Sequence, residues 1–321
     1  VRRGPIGIVG ASGTGIQEIS SLIDRLGGGV SQAIGTGGRD LSEPVAARST
    51  LAAIDALADD ADTAVLVVVS KSPSPAVAER VLDRLRKAKK PAVVQFVAAP
   101  PRNSEPTIVF ADTLEGAARD ACRLAGLDVP PIAAPRNVPA LQRTGFLRGF
   151  FAGGTLCQEA WAVLRAAGIE VRSNVAADKT LRATAGDAAP GHVLWDLGDD
   201  AFTVGKPHPM IEPALRDHHV AEAGEDAAVA AIVVDCVIGY GAHPDPAAGL
   251  ASAARAAVAA AQKAKRRLVV IASVTGTDHD PQGYERQRRA LEEAGVVVAE
   301  SNAAAARCAA GLLRGTERRT R

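Results

Sequence analysis

The stretch "GASGTGIQEI", Gly10 to Ile19, places three glycines and two hydroxyl residues directly ahead of a run with helical character. The chain repeats the plan later as "FAGGTLCQEA", Phe151 to Ala160. A glycine turn that feeds a helix leaves the helix's first N–H groups unpaired and partly positive, a natural seat for phosphate or carboxylate. Ser12, Gly13 and Thr14 in the first copy, and Gly153, Gly154 and Thr155 in the second, are the candidate phosphate-binding residues. Each loop reads equally well as a capping box, Thr14 with Gln17 and Thr155 with Gln158, which needs no ligand and would make the chain a non-catalytic scaffold. Neither loop carries the G-K-[ST] of a Walker A motif or the G-x-G-x-x-G order of a dinucleotide turn.

Two further loops could hold a substrate. In "GTGGRDL", Gly35 to Leu41, Gly37 and Gly38 let a ligand approach the backbone, and Arg39 could grip a carboxylate or phosphate with two hydrogen bonds. An exposed turn with a surface Arg39–Asp40 pair is the alternative. The stretch "DLGDDAFTVGKPHPMIEP", Asp196 to Pro213, combines four acids, Lys206, His208 and three prolines in a segment too irregular for helix or strand. Loops of that kind commonly serve a site, so Asp199, Lys206 and His208 join the candidates. The first 191 residues contain no histidine. G-x-S-x-G, H-E-x-x-H and C-x-x-C are missing, and the four cysteines lie far apart, so no metal is expected and the cysteines read as small reduced core residues.

The elements that must position these loops are legible as short apolar runs separated by helical ones. "IGIV", "TAVLVVV", "AVVQFVA" and "TIVFA" occupy the first half, and "AAIVVDCVI", "RLVVIASV" and "GVVVAES" the second. Strands so uniformly apolar are covered on both faces, as in parallel α/β sheets with crossover helices. "SPAVAERVLDRLRKAKK" is one such crossover, with Val77, Val81, Leu82 and Leu85 on one face. "DPAAGLASAARAAVAAAQKAKRR" is a second. The halves match: G-T-x-x-Q-E starts at Gly13 and again at Gly154, and "ADTLEGAAR" from Ala111 echoes "AESNAAAAR" from Ala299. We therefore expect a duplicated α/β domain, residues 1–130 and 144–321, joined by a proline-containing linker over 131–143 and ending in the basic tail "RGTERRTR".

The net charge of +1, with acids and bases interleaved, offers no basic face to nucleic acid, and no apolar run approaches the ~20 residues of a membrane helix. The N-terminus enters a strand at once with no leader-like apolar region, so the cytoplasm is the expected location.

"GPIGIVGASGTGIQEIS", "AIGTGGRDLS", "DLGDDAFTVGKPHPMIEPALR", "VIGYGAHPDPA" and "SVTGTDHDPQ" resemble, in order and over residues 4 to 315, the FdrA proteins, which are relatives of succinyl-CoA synthetase. The resemblance implies two flavodoxin-like, three-layer domains with mostly parallel sheets, each presenting a helix N-terminus to a phosphoryl group, here Ser12–Thr14 and Gly153–Thr155. It implies a transferase or acid-thiol ligase that works with other enzyme subunits or as a homodimer on a small carboxylate or amide substrate. The FdrA relatives include proteins similar to a subunit of oxamate carbamoyltransferase, which interconverts oxalurate and phosphate with oxamate and carbamoyl phosphate in purine catabolism. On that reading phosphate or carbamoyl phosphate lies on the helix starts, while Arg39, Lys206 or His208 holds the carboxylate or the developing oxyanion. The synthetase's phosphohistidine has no counterpart in "AAPPRNSEPTIVFADT". The family's N-terminal CoA-binding-like domain is expected to precede Val1, which would leave CoA to a partner subunit.

Overall fold

The computed structural model describes residues 1–135, 138–141, 144–184 and 190–317. It divides into two units, Val1–Pro131 and Ile132–Arg321. Four residues of the expected linker (136, 137, 142 and 143) and the last four of the basic tail lie outside the described residues; "RGTE" of that tail is the end of a helix.

The first unit runs β1 (Arg3–Gly10), α1 (Gly13–Arg25), β2 (Val30–Gly35), α2 (Arg48–Asp59), β3 (Val65–Lys71), α3 (Pro75–Lys87), β4 (Ala92–Val97), β5 (Ile108–Phe110) and α4 (Leu114–Leu124). Its sheet has the order β2-β1-β3-β4-β5 with every pairing parallel. This is the flavodoxin-like order, in which the chain reverses direction across the sheet between β1 and β3. α1 packs with α4, and α2 with α3. Val67, Val69 and Val93 are buried, as are Leu66, Val68 and Val94, so both faces of the central strands are covered. α3 opens on a proline, buries Val77, Val81, Leu82 and Leu85, and gathers Arg84, Arg86 and Lys87 in its last turn. That charge placement complements the helix dipole.

The second unit runs β6 (Phe146–Phe151), α5 (Gly154–Ala166), β7 (Val171–Ser173), a 3-10 turn at Lys179–Leu181, β8 (His192–Asp196), α6 (Asp200–Thr203), α7 (Ala214–Ala223), β9 (Val229–Val237), α8 (Pro246–Lys263), β10 (Val269–Thr275), α9 (Tyr284–Glu293), β11 (Val297–Ala299) and α10 (Asn302–Glu317). Its strands are also parallel, in the order β11-β10-β9-β6-β8-β7. One strand more than in the first unit stands on the β7 side, so the duplication is extended rather than exact. β2, β6, β7 and β8 are not among the apolar runs read from the sequence. β2 is an edge strand without a buried residue and β7 has three residues.

The repeated residues have structural work in both copies. Glu18 and Glu159 are buried on the first helix of each unit. Asn302, at the start of α10, donates to the Leu156 carbonyl at 2.9 Å and to Glu159 Oε2 at 2.7 Å, locking the last helix onto the first. A second echo links α3 to α8. After "KAK", Lys90 donates to the Leu57 and Asp60 carbonyls, and Arg266 donates to those of Gly224 and Val229. In each unit one cation ties the crossover helix's exit to the end of the preceding helix.

Leu82 is fully buried between α3 and the sheet. Leu82→Ala is expected to lower stability by about 2–5 kcal/mol, seen as a lower midpoint of denaturant unfolding at unchanged slope.

Candidate functional site

In the first unit the site candidates gather at the carboxyl ends of β1, β2 and β3, beside the reversal point where open parallel sheets receive ligands. The Ala11 N–H donates to the Val69 carbonyl at 3.1 Å, so the turn after β1 is tied to β3 before the helix begins. Ser12 is the cap of α1, its Oγ accepting the Gly15 N–H at 3.0 Å. The alternative capping box is therefore not formed: Thr14 lies inside the first turn, two residues after the cap. Apart from its chain neighbours and the helix's own backbone, no heavy atom lies within 4 Å of where a Cβ on Gly13 would stand, so the helix start is open at that residue.

The second glycine loop lies alongside. The Thr36 N–H donates to the Gly10 carbonyl at 2.8 Å, and a Cβ on Gly38 would sit 3.8 Å from the Ala11 carbonyl oxygen. Gly37 has φ +84, which a side chain would strain. Arg39 is exposed, but Asp40 turns inward, so the surface Arg39–Asp40 pair is not what forms. Asp40 instead accepts the Ser49 and Thr50 N–H groups at 2.9 and 2.8 Å and caps the first turn of α2. Burial pushes its carboxyl up, yet the hydrogen bonds from Thr50 and Ser49 outweigh burial and hold it below the ordinary 3.8. With Ala46 and Ala47 both left-handed, at φ 57 and 63, this cap fixes a strained return and leaves Arg39 outside. Lys71, at the carboxyl end of β3, brings another exposed cation to the same edge. It closes the run "TAVLVVVSK", and a lysine ending an otherwise buried strand was the available signal.

The second helix start is built differently. α5 is preceded by Gly153 with no side-chain cap, so here too Thr155 and Gln158 make no capping box. Asp235, fully buried in β9, takes that place: the Ala152 and Gly153 N–H groups donate to its Oδ1 and Oδ2 at 2.8 and 2.7 Å. Arg216, also fully buried, donates to the Asp235 carbonyl at 2.8 Å and to Asp217. Burial drives the Asp235 carboxyl upward, opposed by Arg216 and the two amides. Asp196, at the end of β8, adds a second carboxylate. Its Oδ2 lies 2.3 Å from where a Gly154 Cβ would be, and its Oδ1 accepts the Gly198 N–H at 2.9 Å. A lone acid inside the apolar run "AAIVVDCVI" was the sequence signal for Asp235.

The long loop brings His208 to this place. A Cβ on Gly198 would meet His208 Nε2 at 2.5 Å and the Ala152 carbonyl oxygen at 3.0 Å, so the imidazole stands against the turn before α5. Its Nδ1 accepts the Met210 N–H at 3.2 Å, which leaves the proton of the neutral ring on Nε2. Burial holds the imidazole below its ordinary 6.5. The Met210 carbonyl in turn accepts the His243 N–H at 2.8 Å, and Gln282 binds Gly239 and the His243 carbonyl. Three of the sequence motifs thus form one braced rim. Asp199 caps the short α6 through the Ala201 N–H at 3.0 Å, and Lys206 is exposed beyond it. Cys122, Cys157 and Cys236 are buried thiols in no disulfide; Cys308 is half-buried.

Two outcomes follow. Gly13→Ala should leave the melting temperature unchanged or raised, since the position is helical and open. Gly154→Ala should cost about 1–3 kcal/mol by driving a methyl into Asp196. Equal effects of the two in thermal unfolding would contradict the asymmetry. For His208, the folded state favours the neutral ring, so its contribution to stability is intact above 6.5 and is lost as pH falls below that value. His208→Gln should flatten that part of the decline in unfolding midpoints measured from neutral pH to about 5; His219, also lowered by burial, titrates in both proteins and cancels in the difference.

Comparison with known proteins corrects one expectation. Residues 1–98 match the CoA binding domain family, so the CoA-binding-like domain expected to precede Val1 is present within the first unit. The chain is 42% identical over 316 residues to the uncharacterized protein YahF of Escherichia coli strain K12, covering 94% of this chain and 61% of that one. It therefore spans less than two thirds of its relative's length. Among solved structures, an acetyl-coenzyme A synthetase of Ca. Korarchaeum cryptofilum in complex with phosphate and ADP is 15% identical, over 99% of this chain and 66% of that one, at a TM-score of 0.33. An ATP citrate lyase mutant of Methanosaeta concilii in complex with (3S)-citryl-CoA is 12% identical, over 99% and 51%, at the same score. Residues 150–312, half of the chain, match the CoA-ligase family, and the chain belongs to that family.

Proposed function

We propose that the chain is an acid-thiol ligase component that transfers an acyl group between phosphate and the thiol of CoA. The observation that carries this reading is the open start of α1 at Gly13, at the sheet's reversal point and inside the stretch matched by the CoA binding domain. The first-turn N–H groups and Arg39 would neutralise phosphate, with Gly37 and Gly38 letting it close on the backbone. In the transfer the thiolate sulfur forms a bond to the acyl carbon, the bond from that carbon to the phosphate oxygen breaks, and phosphate leaves with the electron pair. The thiol proton goes to solvent. Positioning and charge neutralisation suffice for such a step. The second unit's helix start, with Asp196 and Asp235 around it, is less hospitable to a second anion. His208 there presents a protonated Nε2 and acts as a donor rather than a base.

A second reading is carbamoyl transfer between phosphate and oxamate. It is favoured by the absence of histidine from the first 191 residues, since that chemistry needs neither a phosphohistidine nor a thiol. Phosphate or carbamoyl phosphate would lie on Ser12–Thr14 and oxamate on Arg39.

Thermal unfolding with CoA, phosphate, carbamoyl phosphate or oxamate added singly separates the two. A ligand at 100 times its Kd adds ~2.7 kcal/mol. Stabilisation by CoA, lost in Arg39→Ala while the unliganded melting temperature holds, is the expected result. Stabilisation by carbamoyl phosphate and oxamate without CoA would replace the ligase reading with the transferase, and no response to any of the four would remove both.

A further inference from the structure

Two cations flank the start of α1 from the strands on either side of β1, and the proposed phosphate seat uses only Arg39. The other, Lys71, ends β3, which pairs with β1 so that Gly10 stands beside Val69. A Cβ on Gly10 or on Gly15 would meet a Val69 methyl at 2.9 Å, so Val69 lies under the first turn of α1. Alternate residues of a strand share a face. Lys71 therefore leaves the sheet on the same face as Val69, two residues higher and one strand spacing, about 4.8 Å, from β1.

On the other flank, the Thr36 N–H is bonded to the Gly10 carbonyl and Gly38 approaches that of Ala11, which brings Arg39 to the β2 side of the same helix start. Both cations are exposed, and among the described residues neither side chain makes a hydrogen bond or ion pair. Asp40, the acid next to Arg39, is turned inward on the α2 cap. The helix end adds a partial charge of about +0.5. Arg39 alone would balance a carboxylate, whereas two cations and the helix end together match a doubly charged group.

We infer, on the reading that phosphate binds at this helix start, that Lys71 selects a phosphoryl dianion there over a singly charged anion. Coulombic attraction scales with the ligand's charge, so one cation contributes twice as much free energy to a dianion as to a monoanion. A tenfold gain for the dianion therefore corresponds to its square root, about threefold, for the monoanion.

Inorganic phosphate gains its second negative charge between about pH 6 and about pH 8, while arginine, lysine and carboxylate side chains keep theirs. The first 191 residues contain no histidine, and the second unit's histidines and the Val1 amino group titrate in every variant alike. The test is phosphate titration of the whole chain at both pH values by calorimetry, with hydrogen exchange over residues 12–17 to place the ion. Lys71→Gln should weaken phosphate about tenfold at the higher pH and about threefold at the lower, with the unliganded melting temperature unchanged. Lys71→Arg should restore most of the affinity. Lys87→Gln, which removes the same charge from the exposed last turn of α3, should leave it unchanged. Equal weakening at the two pH values, as large a loss in Lys87→Gln, or unchanged affinity in Lys71→Gln beside a loss in Arg39→Ala would overturn the role of Lys71 and leave the phosphate site standing. Failure of phosphate to protect 12–17 in the wild-type chain would instead remove the site itself, and the selection with it.

Discussion

The carboxylate of Asp235 is the interaction on which the second unit's architecture rests. It sits fully buried in the strand that pairs with β6, and it accepts the two amides of the turn that turns the chain from β6 into α5. Arg216 grips the same residue's carbonyl from α7 and reaches the Pro246 carbonyl at the start of α8. One buried charge cluster therefore sets where three helices meet the sheet. Such a cluster is expensive to desolvate and still more expensive to break, since removing one member strands the others; breaking a buried pair costs about 3–5 kcal/mol. Geometry as well as stability depends on it: with the turn pinned, Gly154 comes within contact distance of Asp196, and only a glycine leaves room.

The first unit solves the same structural problem without charge. There the turn is tied to the sheet by a backbone bond, Ala11 to Val69, and the helix is capped by a serine hydroxyl. Partial positive charge at α1 faces open space at Gly13, whereas at α5 it is already met by acids. Two loops that read alike therefore differ in what they can bind: an added anion gains at the first and must compete with a carboxylate at the second. The strained return through Ala46 and Ala47 fits this division, because Asp40 is spent on capping α2 while its neighbour Arg39 stays exposed.

Much of this was legible in residue order, and the limits have physical causes. Strands covered on both faces announce themselves as unbroken valine and isoleucine runs, which is why β1, β3, β4, β9 and β10 were found. The edge strand β2 and the short β7 bury too little to leave such a pattern. Glycine loops were visible, but not which residue caps the helix behind them. Thr14 and Thr155 had suitable spacing to Gln17 and Gln158, yet the cap is decided by where helical dihedrals begin, at Gly13 and Gly154. His208 was found by composition, but its contact with the α5 turn passes through Gly198, ten residues earlier in sequence and silent about its neighbour.

The duplication itself separates scaffold from chemistry. Several positions the two halves share pack or clamp: the buried Glu18 and Glu159, and the equivalent helix-end cations Lys90 and Arg266. Those that differ lie where the loops open: Arg39 and Lys71 in one unit, His208, Asp196 and Asp235 in the other. Copies of one fold can diverge freely only where the backbone's own hydrogen bonds and the core do not constrain them, which in an open parallel sheet is the carboxyl edge. A repeated motif in such a chain is therefore evidence first about what the fold requires, and the positions where the repeat fails are where a difference in chemistry has room to arise.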